Sequence, residues 1–118
     1  MLDKPGISQE ASPATVTSIE DAIETQAKAQ GVNPNLAKEI AFCESTSRQF
    51  NDDGAVLRGK VDRRDIGLFQ INEKYHLENS KELGFNIYSS EGNIGYAMWL
   101  LKHEGNRHWN ASRTCWAA

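Results

Sequence analysis

The spacing of apolar residues predicts a helix that ends close to Glu44. Its apolar positions recur with the period of one helix face: Leu36, Ala37, Ile40, Ala41 and Cys43. Glu44 continues that face, because Ile40 lies one turn before it, so a carboxylate stands where the pattern predicts an apolar residue. Burial and the nearby helix C-terminus both raise the pKa of a carboxyl group, as a general acid working near neutral pH requires. The alternative is a last-turn glutamate that turns outward into solvent.

Apolar periodicity and capping residues predict four helices in all. The first begins near Thr17, where a capping-box pattern starts, and the second, described above, has Asn33 as its cap. The other two are a short helix over 77–83 and a longer helix capped by Ser89 or Ser90. Glycines stop three of these helices: Gly31, Gly84 and Gly105.

The middle of the chain breaks the helical pattern and predicts a small β element. Residues 46–66 are polar and rich in turn formers, and the apolar positions from Val56 to Val61 indicate a small, irregular hairpin. The segment 65–72, Asp-Ile-Gly-Leu-Phe-Gln-Ile-Asn, is mostly apolar and predicts a buried strand or a tight turn. Gly67 within it indicates a close approach of two backbones.

Composition limits the architecture and the partners. The 118 residues predict one domain over 17–118, preceded by a linker over 1–16 that is broken by proline, glycine and serine. The net charge of −3 gives no basic footprint for nucleic acid, and no apolar run approaches the length of a membrane span. The first residues carry no secretion signal, and we interpret the chain as a mature form.

The two cysteines leave two interpretations open. Cys43 precedes Glu44, and Cys115 lies near the end of the chain. A disulfide between them would close a long loop, stabilise the fold by about 4 kcal/mol in the chain-entropy model, and indicate an oxidising compartment. The alternative is two buried free thiols in a cytosolic protein.

Two motifs, in this order, resemble those of the lysozyme-like superfamily. Residues 31–36, which lead into Ala-Phe-Cys-Glu-Ser at 41–45, resemble the first motif of soluble lytic transglycosylase domains, and Gly-Leu-Phe-Gln-Ile-Asn at 67–72 resembles their second. The segment 65–72 is also similar to the matching segment of c-type lysozymes. The Cys-Glu-Ser order, with a late cysteine beside a tryptophan, resembles resuscitation-promoting factors. The resemblance covers about residues 17–116.

The resemblance implies a mainly helical α+β fold with a small β-hairpin element and a sugar-binding cleft. Its substrate is peptidoglycan, cut at the β-1,4 bond between N-acetylmuramic acid and N-acetylglucosamine. Glu44 becomes the catalytic acid, and Ser45, Gln70 and Asn72 become substrate-binding residues; for the two amides, the alternative is a local role in a turn. No cofactor is implied, and the three histidines lack the spacing of metal ligands. We expect a monomer that is secreted, periplasmic or associated with the cell wall.

The chemistry that follows bond cleavage stays open at this point. Many transglycosylases carry a Tyr-Asn pair that faces the catalytic glutamate, and this chain offers Tyr96 as a candidate for the tyrosine and Trp109 for stacking on a sugar. We expect a lytic transglycosylase. One alternative is a hydrolytic lysozyme in which Asp65 assists Glu44. Asp65 could instead pair with Arg63 or Arg64, or cap the turn before Gly67. A second alternative is a module that binds peptidoglycan without cleaving it.

Overall fold

The computed structural model describes residues 18–118 and is mainly helical, with one small antiparallel sheet of two strands. In chain order the elements are α1 (Ile19–Gln30), α2 (Pro34–Ser45), β1 (Asp65–Ile66), β2 (Ile71–Asn72), α3 (Glu73–Glu82), α4 (Ser90–Glu104), a 3₁₀ helix (Arg107–Ser112) and α5 (Arg113–Trp116). The predicted linker over 1–16 and the predicted cap at Thr17 lie outside the described residues. The predicted helical class with a small β element is confirmed.

Local capping sets the ends of the first two helices. Ser18 caps α1, because its hydroxyl accepts a hydrogen bond from the Asp21 N–H at 3.0 Å. Asn33 caps α2 as predicted, with its side-chain oxygen accepting from two backbone N–H groups of the first turn. The predicted end of α2 at Ser45 is also confirmed.

The β element is smaller than the pattern predicts. Asp65 pairs with Asn72, and Ile66 pairs with Ile71, so that segment 65–72 forms a hairpin with a tight turn. The predicted hairpin around 56–61 does not form as such, because Val56 makes only an isolated bridge and the Val61 side chain is fully exposed. The Val56 side chain instead packs against the core, and Arg58 makes an isolated bridge with Ile66 of β1.

Helix α3 begins four residues earlier than predicted. Asn72 provides its cap, accepting a hydrogen bond from the Lys74 N–H at 3.0 Å, and the helix runs over Glu73–Glu82. Its first turn is mostly polar, so apolar periodicity gives no signal there.

The core is built around α4, which packs against α1 and is buried over 92–98. The side chains of Tyr96 and Phe69 are the largest that are fully enclosed, and Trp109 packs edge-to-face on Phe69. The core therefore joins α4, the hairpin turn and the 3₁₀ helix. Within residues 18–118, no helix combines the length and the apolar composition needed to cross a bilayer.

Candidate active site

A groove of about 390 Å³ brings together the two motifs of the sequence. Glu44 and Ser45, from the end of α2, line it together with Asp65 and Gln70 from the hairpin, and the loop over 57–61 contributes further wall. A second cavity of about 220 Å³ shares Asp65 and Gln70 and extends along α3 to the 3₁₀ helix. The two cavities therefore adjoin at Asp65 and Gln70.

A separate cavity of about 460 Å³ is lined by α3 and by the segment 84–88 that follows it, and it differs in chemistry. Its lining contains no carboxylate, and Lys81 is its one charged side chain. The groove that contains Glu44 is therefore the better candidate for acid–base chemistry.

Backbone strain is concentrated at this groove. Among residues 18–118, three non-glycine residues have positive φ: Thr46 at 53°, Ser47 at 60° and Gln70 at 51°. Thr46 ends α2 directly after the groove residues Glu44 and Ser45, and Gln70 lines the groove from the hairpin. Such conformations cost about 1–3 kcal/mol each and occur preferentially at functional sites.

Glu44 is half-buried, and its surroundings favour the protonated form. Burial is the main cause that raises the pKa of Glu44 above its ordinary value. The Ser112 hydroxyl donates a hydrogen bond of 2.5 Å to Glu44 Oε2 and lowers the pKa, whereas the negative charge of Asp65 raises it. Together these effects raise the pKa of Glu44, as its position on an apolar helix face predicts. Glu44 therefore keeps its proton at a higher pH than a free glutamate does.

Asp65 is also partly buried and is held by an amide. Burial raises the pKa of Asp65, while the hydrogen bond from Asn72 lowers it. Asn72 Nδ2 donates to Asp65 Oδ1 at 2.9 Å and to Asp62 Oδ2 at 3.1 Å. Asp62, not Asp65, forms the ion pair with Arg64, at 2.9 Å. The arginine pairing considered for Asp65 is thus absent, and its carboxyl group faces the groove.

The two amides of the second motif have local roles beside their place in the site. Asn72 caps α3 with its oxygen and orients Asp65 with its nitrogen. Gln70 Nε2 donates to the Gly67 carbonyl at 3.0 Å. Gly59 packs closely against Gln70, because a Cβ atom there would lie 2.9 Å from Gln70 Oε1. The predicted turn role is therefore observed for both amides, and Gln70 lines both cavities as well.

Three predicted substrate-binding residues are buried. Ser45 lines the groove, but its hydroxyl donates to the Ala41 carbonyl within α2. Trp109 is 3% exposed, and its indole N–H donates to the Phe69 carbonyl at 2.9 Å. Tyr96 is 0% exposed, and its hydroxyl is hydrogen-bonded to His76 and Asn79 of α3. Tyr96 therefore offers no surface to a substrate, and Trp109 belongs mainly to the core.

Sequence reasoning missed two buried amides that hold the hairpin turn. Gln49 accepts a hydrogen bond from the Leu68 N–H at 2.9 Å and donates to the Ile87 carbonyl at 3.1 Å. Asn93 accepts from the Phe69 N–H and donates to the carbonyls of Ile66 and Ile87, each at 2.9 Å. Asn93 carries a weaker signal, because it stands directly before the apolar run of α4 and four residues before Ala97 on the same helix face.

The two cysteines form a disulfide, which decides between the two interpretations of the sequence. Cys43 and Cys115 have Cα atoms 6.0 Å apart, and the bond ties α5 to α2 directly beside Glu44.

Sequence reasoning also missed Ser112, three residues before Cys115, as a partner of Glu44. Among the described residues, no three side chains of His, Cys, Asp or Glu come close enough to hold a metal ion.

Comparison with protein-family models, with curated proteins and with solved structures finds no match to this chain. The functional assignment therefore depends on the chemistry of the groove and on the motif resemblance.

Proposed function

We propose that this chain is a peptidoglycan-cleaving glycosidase that cuts the β-1,4 bond between N-acetylmuramic acid and N-acetylglucosamine. The observation that supports this proposal most strongly is the half-buried Glu44 on an open groove, with a pKa raised mainly by burial. A glutamate whose pKa is raised by burial keeps its proton to a higher pH and can protonate the leaving glycosidic oxygen. The transition state is then an oxocarbenium-like sugar next to a newly formed Glu44 carboxylate.

Lytic transglycosylation needs only this one carboxyl group. After the bond breaks, the Glu44 carboxylate takes the proton of the C6 hydroxyl of the same muramic acid. That oxygen then bonds to the anomeric carbon and closes a 1,6-anhydro ring. The attack is intramolecular and benefits from proximity, so no water and no second carboxylate take part.

Hydrolysis is the second candidate, and the position of Asp65 favours it. Asp65 lines the same groove as Glu44, and its charge acts on the pKa of Glu44. In this route the Asp65 carboxylate bonds to or shields the anomeric carbon. A water molecule, deprotonated by Glu44, then completes the reaction and leaves a reducing end.

The extended shape of the site suits a glycan polymer. The second cavity continues the groove beyond Asp65 and Gln70, and Tyr75, which lines it, is 70% exposed. An exposed aromatic ring provides an apolar face for a sugar. The disulfide is typical of an oxidising compartment, which supports a location outside the cytoplasm.

Replacement of the proposed acid tests this function. Glutamine keeps the size of glutamate but cannot donate a carboxyl proton, so Glu44→Gln should reduce the rate of turbidity loss of cell-wall suspensions by about 100-fold or more. Binding to sedimented walls should persist. Glu39→Gln is the matched control, because Glu39 is exposed on the same helix and should keep full activity. Full lytic activity of Glu44→Gln would refute the assignment. Wall binding without lysis by the unmodified chain would instead support the binding module.

A further inference from the structure

The hydroxyl of Ser112 lies between two acceptors. Ser112 Oγ is 2.5 Å from Glu44 Oε2 and 3.2 Å from the Trp109 carbonyl oxygen. Ser112 is 68 residues from Glu44 in the sequence, so the contact depends on the tertiary fold. A hydroxyl has one hydrogen and two lone pairs, so it can donate to one of these neighbours while it accepts from another group.

The segment that carries Ser112 is fixed at several points. The indole N–H of Trp109 donates to the Phe69 carbonyl at 2.9 Å, and the indole N–H of Trp116 donates to the Trp109 carbonyl at 3.0 Å. Cys115, three residues after Ser112, is bonded to the neighbour of Glu44. The position of the Ser112 hydroxyl is therefore set by the core and by the disulfide, independently of the bond to Glu44.

We infer that Ser112 is a positioning residue that holds the Glu44 carboxyl group in one orientation in both of its protonation states. This inference rests on the proposed function, in which Glu44 alternates between acid and base. When Glu44 is ionised, the Ser112 hydrogen points to Glu44 Oε2. When Glu44 is protonated, Oε1 carries the acidic hydrogen that is donated to the glycosidic oxygen, and the Ser112 hydroxyl still donates to Oε2. Ser112 neither gains nor loses a proton in either state.

The charged groups around Glu44 do not replace this hydroxyl. Asp65 is the charged neighbour on β1, and its charge opposes ionisation of Glu44. Three cations from the adjoining loops also line the groove: Arg48, Arg58 and Lys60. Two charged or titratable side chains of the 3₁₀ helix and α5 have other partners. His108 is hydrogen-bonded to Glu104, and the Arg113 guanidinium lies over the Trp116 ring. Ser112 is therefore the group that supports the Glu44 carboxylate through a direct hydrogen bond.

Loss of the hydroxyl should change both the titration and the rate. Without the donor, burial and the charge of Asp65 act unopposed, so the pKa of Glu44 rises further in Ser112→Ala. The alkaline limb of the kcat/KM profile then moves to higher pH, because Glu44 stays protonated longer. At the optimum, kcat should fall by about 10-fold, since the carboxylate that forms in the transition state has lost a hydrogen bond.

The test combines NMR titration of the ¹³C-labelled side-chain carboxyl group of Glu44 with the pH profile of wall lysis. Ser112→Ala should shift both to higher pH, and Ser112→Thr, which keeps the hydroxyl, should restore both. Thr114→Ala removes an exposed hydroxyl from α5 and should change neither. If Ser112→Ala does not fold, the isosteric pair Ser112→Thr and Ser112→Val gives the same comparison.

An unchanged Glu44 titration in the variant without the hydroxyl would overturn the inference. The NMR measurement needs no activity, so it separates two kinds of failure. If the unmodified chain cleaves no glycan, the proposed function fails, while the titration still decides whether Ser112 supports the Glu44 carboxylate.

Discussion

At the residue scale, Glu44 and Asp65 are two carboxyl groups of one groove with different partners. Burial raises the pKa of both, but Glu44 receives its hydrogen bond from a hydroxyl, and Asp65 receives its bond from the Asn72 amide. The hydroxyl can reverse its donor and acceptor roles, whereas the amide nitrogen of Asn72 can only donate. The surroundings of Glu44 thus accommodate proton transfer, and those of Asp65 hold its carboxyl group in a fixed orientation.

Removal of the Asp65 charge should lower the pKa of Glu44, because that charge raises it. We expect Asp65→Asn to move the alkaline limb of the kcat/KM profile for wall lysis to lower pH. Transglycosylation predicts that this variant keeps substantial activity at its optimum. Hydrolysis through Asp65 predicts a loss of about 100-fold or more. Asp52→Asn, on an exposed turn, makes the same change in net charge and should leave the limb in place.

If the alkaline limb of the kcat/KM profile does not move in Asp65→Asn, the two carboxyl groups are not electrostatically coupled. It would also remove the observation that favours the hydrolytic candidate.

At the element scale, local signals predicted helices α1 to α4, but the 3₁₀ helix and α5 were not predicted. Asn33 with Pro34 marks the start of α2, and Ser89 with Gly105 marks the limits of α4. These signals work because a cap satisfies backbone groups within a few residues of itself in the sequence. The start of α3 was missed because Asn72, its cap, also belongs to the motif that the resemblance assigns to the cleft.

Elements held by distant side chains could not be predicted in this way. The hairpin turn depends on Gln49 and Asn93, which come from opposite sides of it in the sequence. The bond between Ser112 and Glu44 likewise has no local signature. Sequence reasoning therefore identified Glu44, Asp65 and the groove's two motifs, but not the residues that fix their geometry.

The disulfide joins two elements, α2 and α5, and its reduction should destabilise the fold. The chain-entropy model gives about 4 kcal/mol for a loop of this length, which corresponds to a fall in Tm of about 15 °C. Thermal unfolding with and without dithiothreitol measures the change. A double variant, Cys43→Ala with Cys115→Ala, should be insensitive to the reductant. Two thiols that alkylate freely in the native, unreduced protein would contradict this prediction.

At the scale of the whole molecule, the core fixes the helical and β parts of the site relative to each other. Glu44 comes from the helical part, whereas Asp65 comes from the hairpin. Asn93 on α4 and Trp109 on the 3₁₀ helix both bind the backbone of the hairpin turn. The hairpin that carries Asp65 is therefore held by buried side-chain hydrogen bonds and also by the loop over 57–61, because the Gly59 N–H donates to the Asp65 carbonyl at 2.9 Å.

In the proposed mechanism Glu44 drives cleavage of the muramic acid linkage, and mass analysis of the products from purified peptidoglycan measures that cleavage itself. We expect the unmodified chain to release muropeptides that end in muramic acid, and we expect the Glu44→Gln variant to release none. Products lighter by one water than the hydrolytic ones indicate the 1,6-anhydro ring of transglycosylation, and reducing ends indicate hydrolysis. Products that end in glucosamine, or the same products from the Glu44→Gln variant, would contradict the account.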